Sequence, residues 1–62
     1  AGLVKAIVTL LRVRFGIDEA EAEAFRARLE EVEAVEDLED LHIAALQADA
    51  LEAFERILDE RG

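Results

Sequence analysis

The sequence contains no cysteine, serine, proline or methionine, and it has a single histidine. Without cysteine the chain forms no disulfide and offers no thiolate to a metal ion. One histidine is too few for a metal site made of several imidazoles of one chain. Serine and cysteine nucleophiles are missing, and Thr9 lies on a helix face with no histidine nearby. We therefore expect a protein that is not an enzyme and that has no cofactor.

Glycine occurs only at Gly2, Gly16 and Gly62, and alanine, glutamate and leucine dominate the composition. These three residue types are strong helix formers. No segment alternates apolar and polar residues with the period of a strand. Composition and periodicity together predict an all-α protein.

The chain has 62 residues, which is enough for a single domain, 1–62. A chain this short buries only about 60% of its unfolded surface, so a core of its own is marginal. Small domains usually add disulfides, a metal or a partner subunit. Since the composition argues against the first two, oligomerisation remains as the source of extra stability.

The formal net charge is −9, and it is distributed unevenly. The first 17 residues carry three basic side chains and no acidic one, whereas all sixteen acidic residues follow them. An acidic body repels phosphate backbones, so we expect no nucleic-acid partner. The apolar stretch at the start has about thirteen residues, short of the roughly twenty that span a bilayer. We expect a cytoplasmic protein that does not bind membranes.

Four short helices are predicted, over about residues 3–15, 19–34, 38–47 and 50–60. Gly16 is suited to the left-handed conformation that ends the first helix. Asp18 is the expected N-cap of the second helix, and Glu21 three residues later completes an acidic capping box.

The boundary between the second and third helices is less sharply marked. The apolar stripe changes phase at Val35, and Asp37 with Asp40 three residues later has the pattern of a new N-cap. Asp49 and Glu52 repeat this pattern before the fourth helix. Two arrangements remain open for the middle of the chain: two separate helices, or one kinked helix.

The last three helices each have a narrow apolar stripe at helical spacing, which predicts one buried face per helix. These stripes are Ala22, Phe25, Leu29 and Val32; Leu38, Leu41, Ala45 and Leu46; and Leu51, Phe54, Ile57 and Leu58.

The first helix has a much wider apolar face. Seven residues fall within an arc of about 160° on a helical wheel, and Ala6 and Val13 widen the arc to roughly 220°. A helix that packs on one neighbouring layer needs an arc of about 100° or somewhat more. The seven residues are Leu3, Val4, Ile7, Val8, Leu10, Leu11 and Phe15.

This wide face predicts self-association, because monomers rarely expose large apolar patches. Burying about five further aliphatic side chains contributes on the order of 5–10 kcal/mol before the costs of association. We therefore predict that the seven residues form the interface of a homo-oligomer, preferably a dimer, with 1–16 as the oligomerisation element and 17–62 as an acidic body. Two other arrangements are open: a first helix wrapped by the other three in a monomer, and a basic amphipathic helix lying on anionic lipid.

One pair of residues has the spacing of a metal motif. Glu39 and His42 form Glu-x-x-His, as in ferritin-like di-iron sites, and share one face of a helix. Such a site needs two motifs and two more carboxylates, so a second chain would have to contribute, with Glu52 or Glu55 as further ligands. We prefer the interpretation of a solvated histidine and predict no metal.

Seven acidic residues and no basic one lie between Glu30 and Asp40. A docking face for a basic partner and a loose cation site are the functional interpretations, although the Asp-x-Asp-x-Asp-Gly pattern of calcium loops is absent. We favour a solvated surface that caps helices. No glycine-rich phosphate loop is present, and we expect no small-molecule substrate.

Three segments in this order, LLRVRFG, LEDL and AALQADALEAFERIL, resemble a small helical bacterial domain of unknown function. That domain is commonly found at the C-terminus of Rpn-type, recombination-promoting nuclease/transposase-like proteins. The matching residues are Leu10, Leu11, Arg14, Phe15 and Gly16; Leu38 and Leu41; and Ala45, Leu46, Ala48, Leu51 and Phe54. The resemblance implies an accessory domain of a larger protein, without catalytic residues of its own.

The sequence thus favours a non-enzymatic helical module that associates with itself through its first helix. The alternative is an adaptor that binds a different protein through the apolar helix or the acidic surface. A third hypothesis is a metal-binding bundle that uses Glu39 and His42 across a symmetric interface.

Overall fold

Four helices make up most of the chain. The computed structural model describes residues 2–61, which form α1 (Gly2–Phe15), α2 (Glu19–Glu30), α3 (Val35–Gln47) and α4 (Leu51–Arg61). No strand occurs within this range, and none of its helices combines the length and the apolar character needed to cross a bilayer. The chain is therefore the all-α helical bundle that composition and periodicity predict.

The connection between α1 and α2 follows the local signals in the sequence. Gly16 has a φ of 64°, and its N–H donates to the carbonyl of Arg12 at 3.0 Å, which ends α1. The Asp18 carboxylate accepts from the N–H of Glu21 at 2.8 Å, and the Glu21 carboxylate accepts from the N–H of Asp18 at 3.0 Å. The predicted capping box is confirmed.

The second helix is shorter than predicted, and it is separate from the third. α2 ends at Glu30, and the N–H of Val32 donates to the carbonyl of Leu29 at 3.1 Å, three residues back. Bonds of this type tighten the last turn of a helix. The tightened turn lets the chain reverse, so that α3 packs against α1.

Two predicted N-caps are wrong. α3 begins at Val35 with Ala34 as its N-cap, because the Asp37 carboxylate instead accepts a hydrogen bond from Arg61 at 3.2 Å. α4 begins at Leu51, and the carbonyl of Ala50 accepts from the N–H three residues on at 3.1 Å. Asp49 therefore lies one position too early to cap α4.

α1 lies between α2 and α3, and α4 packs on α3. The Phe54 ring meets the ring of Phe25 edge-on, with 5.9 Å between centroids, so that α4 also reaches α2. The buried core draws on all four helices and on two connecting residues. It consists of Val4, Ile7, Leu11, Ile17, Ala22, Phe25, Leu29, Leu41, Ala45, Ala48, Phe54 and Leu58.

The accessible surface of the folded chain is 4085 Å². A compact monomer of this size exposes roughly 4,000 Å². The single chain therefore encloses its core about as well as other monomers of its length.

Ion pairs join the ends of the helices. Arg28 pairs with Asp59, and Arg61 pairs with Asp37 and Asp40, but these pairs are exposed and stabilise the fold only weakly.

Candidate interaction surface

The structure divides the seven predicted interface residues into two groups. Val4, Ile7 and Leu11 are buried in the chain's own core, with exposed fractions of 4%, 0% and 0%. The half-buried group packs around that core and consists of Leu3, Val8, Leu10 and Phe15. A partner that leaves this fold intact therefore contacts the half-buried residues and not the three in the core.

The wide apolar face of α1 serves two neighbours within the chain. α2 packs against one side of α1 and α3 against another, so that the chain itself covers this helix on two sides. A helix between two neighbours needs a wider apolar arc than a helix on one layer. Intrachain packing thus accounts for most of this face.

Part of the apolar surface that remains forms an open groove between α1 and α3, of about 470 Å³, whereas the exposed side chains of Val35 and Ile43 lie outside it. Val13 is 77% exposed and Leu46 is 53% exposed, and they lie on opposite walls. The α1–α3 groove is lined by Gly2, Lys5, Ala6, Thr9, Leu10, Val13, His42 and Leu46. Its walls are thus mainly apolar, with one ammonium, one hydroxyl and one imidazole.

Helical spacing explains which side chains line this groove. On α1, Ala6, Leu10 and Val13 follow each other at steps of four and three residues, and on α3 Leu46 follows His42 at a step of four. Leu46 was expected in the core and is not buried. Leu41 and Ala45, both 0% exposed, form the buried face of α3, and Leu46 therefore lies towards the groove.

The two helices that border the groove differ in charge, although among residues 2–61 Lys5 is the one acidic or basic side chain that lines it. α1 has three basic residues and no acidic one, and α3 has four acidic residues and no basic one. Arg14 connects the walls, because its guanidinium donates to the carbonyl of Ala45 at 2.6 Å. This carbonyl is in the last turn of α3, where helix carbonyls lack partners and cations are favourable.

A second groove, of about 360 Å³, lies on the other side of α1, towards α2. Lys5, Arg12 and Arg26 line it together with Glu23. Arg26 lies 3.9 Å from the carboxylate of Glu23 and 3.6 Å from that of Glu30. Carboxylates of the chain itself therefore offset part of its positive charge.

The residues of the possible metal motif lie apart from further ligands. His42 is half-buried in the α1–α3 groove, and Glu39 is exposed one turn earlier on α3. Glu52 and Glu55 are on α4, which contributes no residue to this groove. Across residues 2–61, no three His, Asp or Glu side chains are grouped closely enough to hold a metal ion.

The acidic run between Glu30 and Asp40 is mostly exposed. Three of its seven carboxylates pair with arginines of the chain: Glu30 with Arg26, and Asp37 and Asp40 with Arg61. Part of this run therefore connects helices, in addition to being solvated.

Ile17 is a buried residue that the helical stripes do not include. It is only 6% exposed and immediately precedes the Asp18 N-cap, and Ala22, four residues after that cap, is 4% exposed. An apolar residue before the N-cap commonly packs against the fourth residue of the helix. The capping box and the isoleucine before it are the sequence signals from which the burial of Ile17 could have been predicted.

No family model, curated protein or solved structure matches this chain. The resemblance to the domain of Rpn-type proteins therefore stays a prediction, and no residue role comes from a relative.

Proposed function

We propose that this chain is a self-association module, in which the α1–α3 groove packs against the same groove of a second copy. The observation that carries the proposal is the pair of large apolar side chains left exposed across the groove, Val13 and Leu46. The interface differs from the one expected from the sequence, since it uses the outer part of the α1 face. Such a module fits an accessory, non-enzymatic role within a larger bacterial protein.

The placement of the two exposed apolar side chains supports a second copy as the occupant. A two-fold axis that runs along the groove places α1 of each copy over α3 of the other. Val13 on α1 of each copy then lies over Leu46 on α3 of the other, so that both exposed apolar side chains of each copy are covered. A foreign partner would need two apolar side chains at the same spacing.

The size of the surface supports a weak dimer. At 1.5 Å per residue, α1 and α3 are each about 20 Å long. Two such helices about 10 Å apart present a flat face of roughly 400 Å² on each copy, and side chains that project from this face add to its area. Specific interfaces begin near about 1,000 Å² in total. We expect a dissociation constant in the range of roughly micromolar to millimolar.

The mass of the particle in solution tests the proposal. Sedimentation equilibrium of the wild-type chain, between about 10 μM and about 1 mM, a range set by the expected affinity, should show a shift from monomer to dimer. Leu46→Glu should weaken the dimer at least about tenfold, because a carboxylate in the closed groove must lose its hydration. The monomer should keep its fold, since Leu46 is 53% exposed.

Gln47→Glu is the matched control. It adds the same charge one residue further along α3, at an exposed position outside the groove. It should dimerise like the wild type apart from a small effect of net charge. A wild-type chain that remains monomeric throughout would overturn the proposal and favour an adaptor with a different partner. Equal dimerisation of Leu46→Glu and Gln47→Glu would exclude this groove as the interface.

A further inference from the structure

We infer that the groove between α1 and α2 binds a short acidic segment of a partner protein, in which two carboxylates flank an apolar residue. The sign of the charge in this α1–α2 groove is opposite to that of the chain. Three cationic side chains and one carboxylate line the groove, whereas the whole chain carries a net charge of −9. The inference does not rest on the proposed function, because this groove is on the other side of α1 from the α1–α3 groove.

The cations of the α1–α2 groove have few partners within the chain. Lys5 and Arg12 are exposed, and neither forms an ion pair with a carboxylate of residues 2–61. Arg26 lies 3.9 Å from the carboxylate of Glu23 and 3.6 Å from that of Glu30. Within the described part of the chain, no hydrogen bond joins Arg26 to either carboxylate. All three cations therefore keep N–H donors for a ligand.

The spacing of these cations defines the ligand that fits. Lys5 and Arg12 are seven residues apart on the same face of α1, which corresponds to about 10 Å along the helix axis. Val8, which lies between them in the sequence, is half-buried and lines the same groove. Ala22 lines the groove from α2 and is only 4% exposed. The α1 wall therefore has an apolar side chain between two cations.

A peptide segment matches this spacing better than a single small anion does. In an extended peptide, residues three positions apart are separated by about 10 Å, so that two carboxylates at this distance can each meet one cation. An apolar residue between the carboxylates then covers Val8. A long nucleic-acid backbone fits less well, because its phosphates extend beyond the groove and meet the acidic remainder of the chain.

The effect of salt separates attraction by the groove from repulsion by the whole chain. At physiological ionic strength exposed charges act over about 8 Å, so the cations of the groove outweigh more distant carboxylates for a ligand that is bound there. Added salt screens this local attraction and should weaken binding. If the net charge of −9 governed the encounter instead, added salt would screen a repulsion and strengthen binding.

The experiment is an NMR titration of the isotope-labelled full chain with a synthetic peptide that contains Glu-Ala-Leu-Glu, and with a control peptide that contains Gln-Ala-Leu-Gln. Arg12→Gln should weaken binding of the first peptide about two- to fivefold, the usual contribution of one exposed ion pair. Arg56→Gln is the matched control, because Arg56 is an exposed arginine of α4 that lies outside the groove and is unpaired among residues 2–61. It should bind like the wild type.

Three results would overturn the inference. They are equal affinity for the two peptides, equal losses in Arg12→Gln and Arg56→Gln, and tighter binding when sodium chloride is raised from about 0.05 M to about 0.5 M. Inorganic phosphate that binds the same residues as tightly as the peptide would show a site for one small anion and would also overturn it. Arg12 does not line the α1–α3 groove, so each of these results leaves the proposed function standing.

Discussion

At the scale of single residues, position on the helix decides which apolar side chains of α1 build the core. Ile7 is 0% exposed and Val13 is 77% exposed, although both belong to the same broad apolar arc. Six residues correspond to about 600°, which places these two side chains about 120° apart around the helix. The arc is therefore wide enough to include both core and surface, and hydrophobicity alone does not distinguish the two.

This difference predicts unequal effects of two small truncations. Ile7→Val removes one buried methylene and should lower the free energy of unfolding by about 0.5–1.5 kcal/mol. Val13→Ala removes exposed carbon and introduces the best helix former, so the monomer should lose no stability. Urea denaturation at the lowest protein concentration that can be measured, where association contributes least, gives both values. A larger loss in Val13→Ala than in Ile7→Val would mean that α1 is turned about its axis relative to this structure.

At the scale of elements, local signals determine some boundaries and long-range contacts determine others. Gly16 and the Asp18–Glu21 pair act within four residues, and both could be predicted from the sequence. The start of α3 could not, because Asp37 pairs with Arg61, 24 residues away. An ion pair between two distant helices leaves no local pattern, whereas a capping box does.

The capping box gives a prediction for α2. Asp18→Ala removes the acceptor for the N–H of Glu21, and that N–H is one of the groups without a partner at a helix start. The free energy of unfolding should fall by about 1 kcal/mol. Asp18→Ser keeps a capping oxygen and should lose distinctly less. Urea midpoints of the three proteins provide the comparison, and equal losses in both variants would show that the side-chain cap contributes nothing.

The apolar stripes could be predicted from the sequence, but not which of their residues stay exposed. Periodicity shows how wide the apolar face of α1 is, but not how many neighbouring helices share it. Leu46 illustrates the same limit on α3, where it belongs to the stripe with Leu41 and Ala45 and yet is 53% exposed. Which edge of a stripe faces solvent depends on how the helices pack, and that packing is a property of the whole chain.

At the scale of the whole molecule, a short chain leaves a small margin of stability. For 62 residues the free energy of unfolding is expected to be roughly 3–9 kcal/mol. The net charge of −9 acts against both compaction and association, because like charges repel. Within the chain, the pairs of Arg28 with Asp59 and of Arg61 with Asp37 and Asp40 offset a small part of this repulsion.

If the groove closes around a second copy, thermal stability must depend on protein concentration. A partner that binds the folded form and not the unfolded one stabilises the folded form by mass action. Between about 10 μM and about 1 mM, the melting temperature of the wild type should rise by several degrees, since about 1 kcal/mol shifts a domain of this size by roughly 4–8 °C. Circular dichroism in cells of different path length measures this dependence.

Leu46→Glu and its control Gln47→Glu separate association from intrachain stability in this experiment. The melting temperature of Leu46→Glu should be independent of concentration, and that of Gln47→Glu should rise as in the wild type. The reason is that Leu46 lines the groove, whereas Gln47 does not. At the lowest concentration all three proteins should melt within a few degrees of one another, since neither residue is part of the buried core. A wild-type melting temperature that stays constant over the whole range would mean that the core enclosed by one chain supplies all of the stability and that the groove remains open to water.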